Sequence, residues 1–351
     1  MKSDQTGRPV NVADRRIGDG SPALVIAEIG NTHEGSIGQA QALIAAAAES
    51  GADAVKLQTH IAEAEMVPQA PFPPYFRPKE SRGDYFRRTA FCKEQYLELG
   101  EFARQRGVLL LSSPFSIDAV DLLEEVGIAA YKIPSGEVTN LPLLDYIGGL
   151  RRPVLLSSGM SSWAELDQAH ETLSRHHDQI VILQCTSSYP CPPQSVGLNL
   201  LREMRERYGR PVGLSDHTAT IFASIAAVTL GASVIEKHFT LSKRMFGPDP
   251  PFSHEPAEFA ELVRGIRDVE AALAHPIDKD NVDQFREMKA IFEKSIVAAR
   301  DLPVGTILSE QDLTTKKPGT GLAPRRLPDL LGRRTAVFLP KDSLITESEI
   351  A

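Results

Sequence analysis

The chain predicts an α/β fold, a (β/α)8 TIM barrel followed by a small β-rich domain. Eight short apolar runs alternate with amphipathic stretches from Leu24 onward. Glycine recurs where an amphipathic stretch gives way to the next run. Past residue 293 the pattern turns to short β-like pieces broken by proline and glycine. Strands alternating with helices imply a parallel sheet, and eight such units in about 250 residues suit a closed barrel.

The runs are Leu24–Ile29, Ala54–Gln58, Val108–Ser112, Ala130–Ile133, Val154–Ser157, Ile180–Cys185, Val212–Ser215 and Val234–His238. Helical stretches between them include Ile37–Ser50, Gln95–Arg106, Ile117–Val126, Trp163–Arg175 and Ile221–Leu230, with Glu255–Ala274 as the eighth helix. Gly51, Gly107, Gly127 and Gly231 close helices, where the left-handed turn favours a residue without a side chain. An open doubly wound sheet is the alternative, but no Gly-x-Gly-x-x-Gly follows the first run. The expected organisation is an N-terminal extension (1–20), a barrel (21–275), a linker (276–293) and a second domain (294–351). Val67–Arg82 is rich in proline and delays the second helix, as a lid or a subunit contact at a barrel mouth does. Asp278–Phe292 reads as a polar helical linker. Ser295–Ala299, Lys316–Lys317 and Ala336–Leu339 read as the β pieces of the second domain.

Composition excludes several classes. Of 351 residues, 42% are hydrophobic and 24% charged, which suits a globular protein. A net charge of −8 and a pI near 5.7 argue against a broad nucleic-acid surface, so no nucleic acid is expected as a partner. No apolar run approaches the length of a membrane span, and the polar N-terminus lacks the apolar core of a secretion signal. Cys92, Cys185 and Cys191 do not form a disulfide framework, which suits a reducing cytoplasm.

In a barrel, chemistry sits at the C-terminal ends of the strands. Those ends supply Glu28, Asn31 and His33; Lys56 and Gln58; Ser113; Lys132, Ser135 and Glu137; Ser157 and Ser158; Thr186, Ser187 and Tyr189; then His217 and His238. Alternation along a strand puts Gly213, Ser215 and His217 on one face, and Glu236 with His238 on one face. If those faces point inward, two imidazoles and a carboxylate meet at the rim, a donor set suited to Mn, Fe or Zn with positions left for water and substrate. Lys56 and Lys132 with Ser113, Ser135, Ser157 and Ser215 suggest a phosphate cradle. The same lysines could instead pair with Glu28 or Glu137, and those glutamates could serve as acid, base or hydroxyl ligands. His170, His176 and His177 read as a solvated helix face, and Cys185 and Cys191 as inert core.

The segments Ile26-Ala27-Glu28-Ile29-Gly30, Ala54-Val55-Lys56-Leu57-Gln58-Thr59, Tyr131-Lys132-Ile133, Ser135-Gly136-Glu137, Ser157-Ser158-Gly159-Met160, Cys185-Thr186, Ser215-Asp216-His217-Thr218 and Glu236-Lys237-His238-Phe239-Thr240 resemble the sialic acid synthase family. Lys317-Pro318-Gly319-Thr320-Gly321 resembles that family's C-terminal antifreeze-like (SAF) domain. The family includes N-acetylneuraminate, legionaminate and pseudaminate synthases and spore-coat polysaccharide proteins. The resemblance implies condensation of phosphoenolpyruvate with an N-acetylated aldose, giving a nine-carbon 2-keto acid and phosphate. It implies Mn2+ or another divalent ion on His217 and His238. Lys56, Ser113, Lys132, Ser135, Ser157, Ser187 and Ser215 would bind phosphoenolpyruvate. Glu28, Gln58, Glu137, Tyr189 and Asp249 would handle the sugar or protons. It further implies a homodimer whose C-terminal domains cap each other's barrels, with Lys317 reaching the partner's sugar.

The chain departs from the family at Thr32 before His33, at Gly247-Pro248-Asp249-Pro250, at Ser187, and at Lys317 where an arginine is expected. Lysine keeps the charge but loses the bidentate fork. These departures cluster on the sugar side, so the reaction type is expected to survive while the acceptor stays open. Two other readings remain: a metal-free Schiff-base aldolase using Lys56 or Lys132, and an inactive barrel carrying a polysaccharide-binding module.

Overall fold

The structure is a computed structural model that describes residues 8–351. The chain divides into two compact units, one ending at His275 and the other beginning at Pro276. The first opens on a hairpin, β1 (Val10–Val12) and β2 (Arg15–Ile17). Eight parallel strands follow: β3 (Leu24–Gly30), β4 (Ala54–Thr59), β5 (Leu109–Pro114), β6 (Tyr131–Ile133), β7 (Val154–Ser157), β8 (Ile180–Cys185), β9 (Val212–Asp216) and β10 (Val234–His238). They close in chain order, with β10 returning to β3. The eight predicted runs are these eight strands, displaced at their ends by one or two residues at most.

Helices α1 (Ile37–Glu49), α2 (Ala62–Glu65), α3 (Arg82–Thr89), α4 (Lys93–Gln105), α5 (Ile117–Val126), α6 (Leu141–Gly149), α7 (Trp163–Ser174), α8 (Asn199–Tyr208), α9 (Phe222–Thr229) and α10 (Pro256–Ala274) fill the crossovers. Side-chain caps start several of them, Ser36, Ser116 and Ser162 each accepting an N–H from the first turn. Helices α6 and α8 fall outside the stretches that the sequence predicts as helical. In α6, Pro142 sits in the first turn, where its missing N–H costs no bond, and Leu143, Leu144 and Ile147 form the buried stripe. Half of the residues of α8 are charged, and it buries only Leu201 and Met204.

Inward-facing positions change character along each strand. At one end Ile26, Ala54, Leu111, Ala130, Leu155, Leu183 and Val234 form an apolar plug, and Val10, Val12 and Ile17 of the hairpin pack against it. Part of the polar N-terminal extension is therefore a folded floor of the barrel. Two residues further along the same strands stand Glu28, Lys56, Ser113, Lys132, Ser157, Cys185 and Glu236. The outward faces pack against the helices in one larger core that includes Val25, Leu57, Ile133, Leu156, Ile182, Leu214 and Phe259. Between inner and outer sets the alternation of strand side chains is kept throughout.

In the second unit, α11 (Arg286–Phe292) leads to β11 (Ser295–Ala298), which pairs antiparallel with β12 (Leu313–Lys316). Ile296, Leu302, Leu308, Leu313, Leu330, Leu339 and Ile345 form its core. The predicted helix over Asp278–Phe292 is shorter: a 3-10 turn at Asp283–Phe285 precedes α11, and residues 278–282 are not helical. The piece Ala336–Leu339 forms no regular strand and contributes a bridge from Leu339 to Leu302. Pro340, with no N–H to give, follows that bridge directly.

Candidate active site

A cavity of about 470 Å3 opens at the C-terminal ends of the barrel strands. Register dictates much of its lining. Glu28 lies beside Lys56 across β3 and β4, and Glu236 beside Ser215 across β10 and β9. Lys56 Nζ is 2.8 Å from Glu28 Oε2 and 3.8 Å from Glu236 Oε2. Lys132 Nζ is 3.0 Å from Glu236 Oε1, which also accepts from Ser215 Oγ at 2.8 Å. Ser113 lies beneath the lining and accepts from Lys56 Nζ at 3.1 Å. Lys132 thus pairs with Glu236, not with Glu137, because Glu137 stands past the strand on a 3-10 turn and binds Asn140. Glu137 is not among the residues lining the cavity. Glu236 is clasped by the lysines rather than joining the two imidazoles.

This arrangement sets protonation. Burial alone would raise Glu236, but Lys132, Lys56 and the Ser215 hydroxyl outweigh it and hold the carboxyl well below its usual range. Burial raises Glu28 to about 7 despite the opposing charge of Lys56. Burial works against the Lys56 ammonium, yet Glu236 and Glu28 more than offset it and raise its pKa. An ammonium held charged in this way is a poor Schiff-base nucleophile.

The ring centroids of His217 and His238 lie 5.4 Å apart, and the Tyr189 ring is 4.2 Å from the first and 5.8 Å from the second. His217 follows the end of β9, and His238 ends β10. His217 Nδ1 donates to the Thr186 carbonyl at 2.8 Å, which leaves the Nε2 lone pair for a ligand. His238 Nδ1 is buried without a hydrogen-bond partner, and burial with the neighbouring positive charges keeps that ring neutral. Burial would lower the His217 pKa, but Cys185, the Thr186 carbonyl and Glu236 raise it, so a divalent cation would displace a proton from its Nε2, whereas the His238 ring is neutral already. Among the described residues no group of three or more His, Cys, Asp or Glu side chains surrounds one point, so water and substrate would complete the shell.

Cys185, expected as inert core, faces His217: its Sγ is 3.9 Å from Nδ1 and accepts from Ser135 Oγ at 3.4 Å. Burial would raise the thiol, but His217 pulls it down to about 7. Ser135 and Ser187 approach each other over Gly159, where a Cβ would stand 2.3 and 2.6 Å from their hydroxyl oxygens. Ser157 Oγ, also on the wall, is buried and unpartnered.

The proline-rich insertion forms the outer wall through Phe72, Pro73, Tyr75 and Arg82. Near Tyr75, burial raises the Asp249 carboxyl to about 6. Gly30, at φ +56°, lets that carboxylate approach, since a Cβ would stand 2.6 Å from Asp249 Oδ2. Gln58 donates to Glu28 at 2.8 Å. Of the other expected rim residues, His33 is a core histidine, stacked 4.3 Å from Phe91 and held near 3 by burial. Lys317 belongs to the second unit and lies 5.0 Å from the Phe292 ring centre. His170 is half-buried near Tyr208 rather than solvated, and burial lowers it to about 4. The sequence reading missed His60, Arg82 and Phe115 in the wall, because all three stand outside the inward positions of the strands.

The model of the NeuB family matches residues 43–278, and that of the SAF domain matches residues 293–351. The chain belongs to the NeuB family. It is 38% identical to the N,N'-diacetyllegionaminic acid synthase of Campylobacter jejuni, over 92% of this chain and 99% of that protein. It is 35% identical to the human N-acetylneuraminate-9-phosphate synthase, over 95% and 94% of the two chains. The solved structure of the Bacillus subtilis spore coat polysaccharide biosynthesis protein superposes with a TM-score of 0.68 at 31% identity, covering 98% of this chain and 99% of that one.

Proposed function

We propose that the protein condenses phosphoenolpyruvate with an N-acetylated aldose, giving a nine-carbon 2-keto acid and phosphate for surface polysaccharide biosynthesis. The observation that carries this reading is one cavity holding Lys56, Lys132 and a set of serine hydroxyls beside the paired imidazoles of His217 and His238. Phosphoenolpyruvate carries a phosphate and a carboxylate. Lys132, Lys56, Ser135, Ser157, Ser187 and Ser215 supply donors for both, and the unpartnered Ser157 hydroxyl awaits an acceptor. A divalent ion held by His217 and His238, Mn2+ by resemblance, would act as a Lewis acid toward the open-chain aldehyde.

C3 of the enol attacks the aldehyde carbon, and the carbonyl oxygen takes a proton as the C–C bond forms. Water adds at the cationic C2 and loses a proton; the bond from C2 to the phosphate ester oxygen then breaks, and phosphate leaves with that oxygen and takes up the proton that the C2 hydroxyl gives up as it becomes the ketone. Glu28, with a pKa near 7, can give and take a proton at neutral pH. Asp249, Gln58 and Tyr189 line the same cavity and would handle the acceptor, with Asp249 offering a second carboxyl for a sugar hydroxyl. The charged Lys56 supports this reading over a Schiff-base aldolase.

Phosphate release should be measured with phosphoenolpyruvate and a panel of N-acetylated hexosamines and their deoxy analogues, with product masses. Release with at least one acceptor, lost on chelation, is expected; silence across the whole panel would refute the reading. The proposal extends to a cytoplasmic homodimer in which each C-terminal domain caps the other copy's barrel and presents Lys317. A purely monomeric species in light scattering would remove that part. The described cysteines are free, which suits a reducing compartment, and no described helix is long and apolar enough to cross a membrane.

A further inference from the structure

Between β4 and the proline-rich insertion the chain makes a short turn that reaches the inner layer of the barrel. Helix α2 places Glu65 Oε2 2.6 Å from His60 Nδ1. His60 Nε2 lies 3.1 Å from Gln58 Oε1, and Gln58 Nε2 donates to Glu28 Oε1 at 2.8 Å. The imidazole is 5% exposed and clamped between the rings of Phe86 and Phe115, with centroids 3.7 and 4.1 Å away and interplanar angles of 9° and 19°. It cannot turn over without displacing both phenyl rings.

The direction of each hydrogen bond in this chain follows from the groups involved. Gln58 turns its NH2 toward Glu28 and its carbonyl toward His60, and the Asn31 amide also donates to that carbonyl at 3.5 Å. That carbonyl only accepts, so His60 Nε2 carries a proton. Glu65 then either accepts from Nδ1 of an imidazolium or, as the acid, donates to Nδ1. Both partitions leave the pair neutral overall and Nε2 protonated. Burial lowers the His60 pKa, the cationic Arg82 and Lys56 lower it further, and the Glu65 carboxyl opposes them. A buried ion pair costs desolvation, and orienting a neighbouring group is one use that justifies it.

We propose that His60, oriented by Glu65, is a positioning residue that fixes the Gln58 amide and thereby holds the Glu28 carboxylate toward Lys56. The placement of Glu28 and Gln58 in the reaction rests on the proposed function, whereas the polarity of the chain does not. It makes the turn that leads from β4 into the insertion part of the reaction machinery.

Two measurements test the idea. In protein labelled with 15N-histidine, long-range proton–nitrogen spectra should show His60 Nε2 protonated, the His60→Phe variant serving for assignment. A proton on Nδ1 with a bare Nε2 would reverse the Gln58 amide and overturn the proposal. In the double variant His60→Phe/Glu65→Leu, apolar groups replace the pair without stranding a charge. Its kcat is expected to fall about 10- to 100-fold, as when an outer partner that orients a reacting group is removed. Phosphoenolpyruvate affinity by calorimetry should stay at the wild-type value. A folded double variant with wild-type kcat would also overturn it. If the wild-type protein turns over no acceptor, the proposed function fails, and the nitrogen spectra still decide the role of His60.

Discussion

The two ends of the barrel are built from the same eight strands and treat their buried carboxylates in opposite ways. At the floor, Asp53 accepts from Arg15 at 2.7 Å, from Arg267 at 2.6 Å and from the Val25 amide at 2.8 Å, so both of its oxygens are used. The hairpin seals the plug with Val10, Val12 and Ile17. A second cavity of about 400 Å3 lies at this end, and its only charged lining residues are Asp19 and Glu270. At the mouth, Glu236 Oε2, Ser157 Oγ and His238 Nδ1 are buried without hydrogen-bond partners. Folding tolerates such orphans where a ligand supplies what is missing. The floor is built for stability and the mouth for chemistry, the division expected of this fold.

The sharpest way to break that contrast is Glu236→Leu, which leaves Lys56 and Lys132 without their shared carboxylate. A loss of about 3–5 kcal/mol in denaturant unfolding is expected. A variant as stable as the parent would show that the lysines are not held by this residue. His238→Ala should leave folding intact but reduce turnover about a thousandfold, about 4 kcal/mol in barrier. Chelator-treated parent protein should match it, and retained turnover would remove the imidazole from the reaction.

Asp249 sharpens the comparison through pH. Its folded pKa of about 6 lies above the free value of 3.8, so the native state holds the proton more tightly. The associated stability is complete below about 3.8 and lost as pH rises through about 6, at roughly 3 kcal/mol for a shift of that size. Asp249→Asn should remove this loss, its melting temperature gaining on the parent as pH climbs from about 4 to about 7. Parallel curves would contradict the shift. At the floor, Ile17→Val should cost only about 1 kcal/mol in stability, with kcat unchanged. A drop in kcat would show that floor and mouth are coupled.

The strand positions were legible because each buried strand is a short apolar run that ends in a polar residue at the rim. His217 and His238 were legible for the same reason: alternation within one strand determines which face a residue takes. The convergence of Lys56, Lys132, Ser135, Ser157 and Ser215 followed from closing the barrel. Pairings across strands were less legible. Lys132 takes Glu236, which is distant in the chain and on a strand that is not its hydrogen-bonded neighbour, and nothing local distinguishes it from nearby Glu137. Cys185 looked inert because its contact with His217 crosses from β8 to the end of β9. The hairpin at residues 10–17 was hidden by its charged flanks, since three buried apolar side chains are a weak signal.

By itself, then, the amino-acid order determined the alternation of strands and helices, the barrel it closes into, and the inward face of each strand. Those depend on periodicity and apolar burial, which act over neighbouring residues. Only the tertiary structure decided which carboxylate neutralises which lysine, which imidazole nitrogen stays free, and which residues past the end of β4 meet the barrel's inner layer. Those outcomes depend on distances of a few ångströms between strands far apart in the chain, where electrostatic and hydrogen-bond energies change steeply.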